Sequence, residues 1–164
     1  ESIEAGNMVT NLRQVMKDKG VKCRCIRCRE SREAAIKNEK LKINNYFVSG
    51  GEEIFISFES KNGGVLYGFC RLFLPDPELT PLFPVLKKSA LIRELHVYGE
   101  LVSPGGKKKV QHSGLGRKLL QEAEKLARKN KYDKIAVISG VGVRNYYRKN
   151  GYRLADTYLY KNCS

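Results

Sequence analysis

The sequence of 164 residues has no apolar run near the roughly 18 residues of a membrane-spanning helix. No basic, apolar and small-residue series opens it, so neither a secretory leader nor a membrane partner is expected. Carboxylates are scarce: 17 Asp and Glu stand against 31 Lys and Arg, a formal charge of +14. That imbalance disfavours cationic partners and favours polyanions, whether RNA or a phosphate-bearing cofactor. An even number of cysteines is missing too. Five exclude a complete intramolecular disulfide framework and agree with a reducing, cytoplasmic location. No internal repeat is visible. What is present, 41% hydrophobic and 29% charged residues, fits one globular domain with a sizeable core. The opening ESIEAGNM has no initiator Met, so the chain is expected to be part of something larger.

The charge is uneven. Between Arg13 and Lys42 stand eleven Lys or Arg and four Asp or Glu, a net of +7 and half of the excess. This stretch reads as a polyanion contact. A second cluster, Lys107-Lys108-Lys109, follows Pro104-Gly105-Gly106, a loop composition.

Within the basic stretch lies Cys23-Arg24-Cys25-Ile26-Arg27-Cys28. Thiolates so close repel one another unless a cation holds them, and the neighbouring arginines favour deprotonation. A soft-metal site answers both points, with zinc the first candidate. Four ligands are usual, and Cys70, in a strand-like segment, is a better platform for the fourth than the terminal Cys163. An iron–sulfur cluster held by three cysteines is the alternative.

Asn7 to Lys19 reads as a helix with Met8, Leu12, Val15 and Met16 on one face, stopped by Gly20. Residues 23–28 read as a linker. The period then changes to two: Leu41, Ile43 and Phe47; Ile54, Ile56 and Phe58; and Val65 to Phe73 after the Ser60–Gly64 turn. Pro75, Pro77, Pro81 and Pro84 impose an excursion before a further strand at Ala90–Tyr98. Leu115, Leu119, Leu120, Ala123, Leu126 and Ala127 form a helical stripe, and Ile135–Ile138 reads as a buried, parallel-type strand. A short helix from Gly142 to Arg148 and a last strand pair from Gly151 complete an α/β pattern with one mixed sheet.

Gln111-His112-Ser113-Gly114-Leu115-Gly116 joins a strand to the Leu119 helix. Its glycines let successive backbone N–H groups share one concavity at a helix N-terminus, a setting matched to pyrophosphate, with Arg117 and Lys118 adding charge. This Q-x-x-G-x-G pattern resembles the acetyl-CoA pyrophosphate loop of the GNAT acetyltransferases. Arg93 to Gly99 (RELHVYG), Ile135 to Gly142 (IAVISGVG) and Arg144 to Arg148 (RNYYR) resemble the C-terminal acetyltransferase domain of the Elongator catalytic subunit family. Cys23 to Arg27 resembles the linker before it.

The resemblance implies a GNAT-like mixed central sheet flanked by helices over residues 41–164, preceded by a basic cysteine-containing linker with a helix over 1–40. It implies an acyltransferase that binds and cleaves acetyl-CoA to supply the acetyl unit for carboxymethylation of the tRNA wobble uridine at carbon 5. The family's radical-SAM motif, C-x-x-x-C-x-x-C, has no counterpart here, so the iron–sulfur cluster and S-adenosylmethionine belong to a domain outside this sequence. Implied partners are tRNA, that radical-SAM domain, and other Elongator-like subunits or a second copy. Residue by residue, Glu94, Leu95, His96 and Val97 would align pantetheine, and Gln111 to Gly116 with Arg117 would hold the pyrophosphate. Tyr147 would stand near the thioester sulfur, Glu94 and His96 are candidate bases, and Tyr146 is expected to pack. Two other functions fit the residues: a protein-lysine acetyltransferase, disfavoured by the +14 charge, and a non-catalytic RNA-binding module.

Overall fold

The computed structural model describes residues 5–31, 38–98 and 114–163. The chain forms two compact units, Glu1–Glu30 and Ser31–Ser164. In the first, α1 runs Ala5–Asp18, and its end is marked by Gly20 at φ 65°, a left-handed conformation that glycine adopts without strain. The expected linker contains one helical turn, α2, at Ile26–Arg29, with no buried residue.

The second unit is built on a seven-stranded sheet: β1 (Lys40–Val48), β2 (Gly51–Glu59), β3 (Leu66–Pro75), β4 (Ser89–Val97), β5 (Lys134–Ile138), β6 (Arg153–Ala155) and β7 (Tyr158–Asn162). Their order is β1-β2-β3-β4-β5-β7-β6; β4 and β5 are parallel and every other pair is antiparallel. The single parallel pair needs a crossover, supplied by α3 (Leu115–Lys129). Leu115, Leu119, Leu120, Ala123 and Ala127 are its buried stripe, packed with Ile54, Ile56, Cys70, Leu72 and Ile92 from the sheet. Truncating one of these leucines to Ala should cost about 2–5 kcal/mol. The shorter α4 spans Arg144–Lys149.

The mixed α/β architecture and the element order agree with the sequence reading. Burial in β1 does not follow its alternation, since Ile43 and Phe47 are exposed. As the edge strand, β1 has a neighbour on one side only, and period two there marks strand geometry without a covered face.

Two irregularities position the site. The β4–β5 ladder covers only Ser89–Ile92 against Lys134–Val137, so β4 continues through Arg93–Val97 paired to β3 alone. At the same place the β3–β4 register slips: Leu72 faces Ile92 and Arg71 faces Glu94, leaving Arg93 as an extra, bulged residue. The strands therefore part where β4 kinks.

Candidate active site

Gly114, at φ 104°, is the N-cap of α3, and its carbonyl accepts the first helical hydrogen bond, from Lys118 N–H at 2.9 Å. A Cβ there would meet nothing within 4 Å, so the backbone angle, not space, calls for glycine. At Gly116 the reason is space: a Cβ would sit 2.9 Å from the Tyr146 hydroxyl and 3.5 Å from Val97 Cγ2. The first turn of α3, the released end of β4 and the start of α4 thus meet around one missing side chain. No acidic residue occupies that turn, so the positive end of the helix dipole stands uncompensated. Gln111, His112 and Ser113 lie outside the described residues.

Of the two cations beside this turn, Lys118 is engaged by Glu39 at 3.2 Å and lies over the Phe58 ring at 5.8 Å. Arg117 is exposed, and its charge acts on Tyr146. Glu94 is 45% exposed at its side chain, 3.6 Å from Arg71. His96, on the same strand face two residues on, is exposed and stacks between Phe69 (6.0 Å) and Tyr98 (4.4 Å). Leu95 and Val97 pack against the core, leaving the strand's backbone edge as its polar feature on the parted side.

The two tyrosines of α4 divide. Tyr147 is 6% exposed, edge-on to Tyr146 at 5.3 Å and to Tyr152 at 5.6 Å. Burial, with charge repulsion from Cys70 and Tyr146, pushes its phenol up to about 12, so it stays protonated at neutral pH and can donate. Tyr146, which the sequence marks only as packing, brings its hydroxyl to Gly116, where it is buried with no hydrogen-bond partner among the described residues. Ser139 Oγ and Arg144 Nε are in the same condition. All three fall on the segment from the end of β5 to α4, which also exposes Ile138, Val141 and Val143. Buried polar atoms are normally paired, so three donors within eight residues that lack a partner among the described residues are candidates to meet a polar ligand. The sequence offers no signal for them, because partner loss shows only in three dimensions.

In the first unit, the sulfurs of Cys23, Cys25 and Cys28 lie within 4.8 Å of one another, all exposed. Zinc–sulfur bonds of about 2.3 Å place tetrahedral thiolates about 3.8 Å apart, so the trio fits such an ion. The backbone amide of Cys28 and the thiols of Cys23 and Cys28 lower Cys25 to about 7, while thiol hydrogen bonding raises Cys28 to about 11. The expected push from arginine charge is not the cause; local donors are. Cys70 is fully buried on β3 in the core of the second unit, where desolvation pushes its thiol up to about 12.

A glycine-opened helix after a strand that parts from its parallel neighbour defines a class of acyl-CoA-dependent fold, and the comparisons agree. Residues 25–152 match the model of the acetyltransferase (GNAT) family, and the chain belongs to that family. It is 46% identical to the tRNA uridine(34) acetyltransferase of Dehalococcoides mccartyi over 92% of its own length and 35% of that protein's. It is 40% identical to the human Elongator complex protein 3, over 97% of this chain and 30% of the relative. A solved structure of the archaeal Methanocaldococcus infernus Elp3 with an N-terminal deletion superposes with a TM-score of 0.80 at 38% identity, over 95% of this chain and 39% of that one. The chain spans about a third of the length of the curated relatives it matches.

Proposed function

We propose that this chain is the acetyl-CoA-binding acyltransferase domain of an enzyme that modifies the wobble uridine of tRNA. One observation carries the reading: the N-terminus of α3, the freed edge of β4 and the hydroxyl of Tyr146, which has no partner among the described residues, converge at Gly116. The first-turn amides of α3, with Arg117 and residues 111–113, receive the pyrophosphate. The backbone of Glu94–Val97 pairs with pantetheine as a further strand would. Ser139, Arg144 and Tyr146 supply the remaining donors. Bound acetyl-CoA supplies an activated thioester. Tyr147 donates its proton to the departing thiol sulfur, and Glu94 or His96 orients the acceptor or accepts its proton.

Zinc is held by Cys23, Cys25 and Cys28, in a structural role beside the basic segment that meets tRNA. The remainder of the tRNA reaction belongs to a radical-SAM domain, with its own iron–sulfur cluster and S-adenosylmethionine, in the longer proteins. The setting is cytoplasmic; among the described residues no helix is long and apolar enough to cross a membrane.

Calorimetry with acetyl-CoA and a filter-binding titration with tRNA test this directly. Saturable binding of both is expected. Binding of tRNA alone would leave an RNA-binding module and remove the acyltransferase reading.

A further inference from the structure

On the sheet face away from α3, Glu53 is a fully buried carboxylate in mid-β2. It accepts hydrogen bonds from Tyr46 Oη on β1 (2.5 Å), from Arg71 Nε and Nη2 on β3 (2.7 and 3.0 Å), and from Arg93 Nη1 on β4 (3.1 Å). One side chain thereby ties four adjacent strands. Burial alone would raise its pKa, but hydrogen bonds from Arg71 and Tyr46 and the charges of both arginines outweigh it and hold the carboxyl below its usual range.

The arginines are not placed at random along β4. Arg93 is the bulged residue, and the bulge sets it and Glu94 on the same face: Arg93 reaches Glu53, and Arg71 Nη1 lies 3.6 Å from Glu94. The guanidinium of Arg93 also lies over the Phe73 ring at 5.6 Å. A bulge costs ladder hydrogen bonds and persists where side chains hold it. Here it is held at the first residue beyond the β4–β5 ladder, where the edge of β4 becomes free.

We infer that Glu53 is a positioning residue: through Arg93 and Arg71 it fixes the β4 bulge and so presets the Glu94–Val97 edge to receive pantetheine. The inference rests on the acetyl-CoA reading above and adds to it the device that shapes half of the site. Glu53 touches neither the cofactor nor the reacting atoms. Its influence falls first on β4: Gly114 and Gly116, which set the backbone of the phosphate cradle, are not members of the Glu53 network, and β4 reaches them only through Val97.

That separation supplies the test. Acetyl-CoA uses both halves of the site, whereas adenosine 3′,5′-bisphosphate lacks pantetheine and the outer phosphate of the pyrophosphate and reaches only the cradle half, through its 5′-phosphate. Glu53→Gln should weaken acetyl-CoA at least tenfold and leave the bisphosphate within threefold, below the melting midpoint of the variant. Before ligand is added, amide hydrogen exchange at His96 and Tyr98, whose N–H groups face β3 (Tyr98 N–H donates to the Tyr67 carbonyl at 2.9 Å), should quicken in the variant while that of the α3 core stays protected. Arg93→Ala, a truncation at a half-exposed side chain, should show the same selective loss, so the inference stays open to refutation if Glu53→Gln fails to fold. Equal weakening of both ligands, or no change in either, would overturn it. Wild-type protein that binds neither ligand would remove the acetyl-CoA reading itself, and the inference with it.

Discussion

Residues 1–30 and residues 31–164 hold their reactive groups by different means. In the first unit the thiols of Cys23, Cys25 and Cys28 are exposed, and no described side chain is buried. In the second, the groups around Gly116 sit at the rim of a packed core, with Leu115 and Tyr147 among its members. A site on a core inherits its geometry from packing, because neighbouring side chains leave few alternatives. A site without one must take its geometry from the ligand it binds, as small metal-held units do. The two should therefore fail independently, and each prediction below presses on that separation.

The largest effect is expected at the cradle. Gly116→Asp places a side chain 2.9 Å from the Tyr146 hydroxyl and a negative charge in the proposed phosphate cradle. Acetyl-CoA binding should disappear in calorimetry while zinc content and tRNA binding persist. Unchanged acetyl-CoA affinity would refute the cradle.

The α4 tyrosines come next. Tyr147→Phe keeps the ring among its aromatic neighbours and removes the proton held by a phenol pushed up to about 12. Acetyl-CoA affinity should hold, and thioester cleavage, followed by free-thiol release, should fall on the order of a hundredfold. Tyr146→Phe should act the other way, weakening binding roughly ten- to a hundredfold, as expected for one hydrogen bond to a charged ligand. Equal kinetic behaviour of the two variants would erase the division of roles.

Much of this site could be read before any coordinates. Gly114 and Gly116 announce the cradle because a helix start and a polyanion both require exposed amides, a local property of five or six residues. The stripe from Leu115 to Ala127 and the apolar run Ile135–Ile138 are equally local, and both elements form where the periodicity puts them. The Glu53 network was not legible. Its hydrogen-bonded partners lie up to 40 residues from Glu53, and only the register of β2, β3 and β4 and the slip at Arg93 bring them together. Tyr146 packs against the core as expected, but the place of its hydroxyl beside Gly116 was not legible, for a related reason. Helical spacing tells which way a residue points relative to its neighbours, but not what its ring tip meets, here a glycine in another helix. The exposure of Phe47 has the same origin, since alternation cannot say that β1 is an edge.

The metal tests the separation from the other side. One zinc per chain is expected, lost in Cys25→Ser and on chelation. Acetyl-CoA affinity should then change by less than twofold, because nothing in the Gly116 packing depends on the thiols. Cys70→Ser tests the expectation that Cys70, on its strand, is the fourth ligand. With Cys70 buried in the core, the variant should melt at lower temperature and keep its zinc. A fall in zinc to that of Cys25→Ser would make Cys70 a ligand.

The smallest effect concerns Arg24, Arg27 and Arg29, interleaved with the thiols. Hydrogen bonds from the Cys28 amide and from the Cys23 and Cys28 thiols are the largest causes of the lowering of Cys25. In a segment of net +7, phosphate contact is the role proposed for these arginines. Each contact contributes about 0.7–0.9 to the slope of log affinity against log salt, so replacing all three with Ala should flatten the slope for tRNA by roughly 2–3. Zinc content serves as the control: it should stay at one per chain, since the thiols and their local donors are untouched. A slope equal to wild type at full zinc occupancy would show that these arginines are a solvated face, and that the first unit meets RNA elsewhere in its basic segment or not at all.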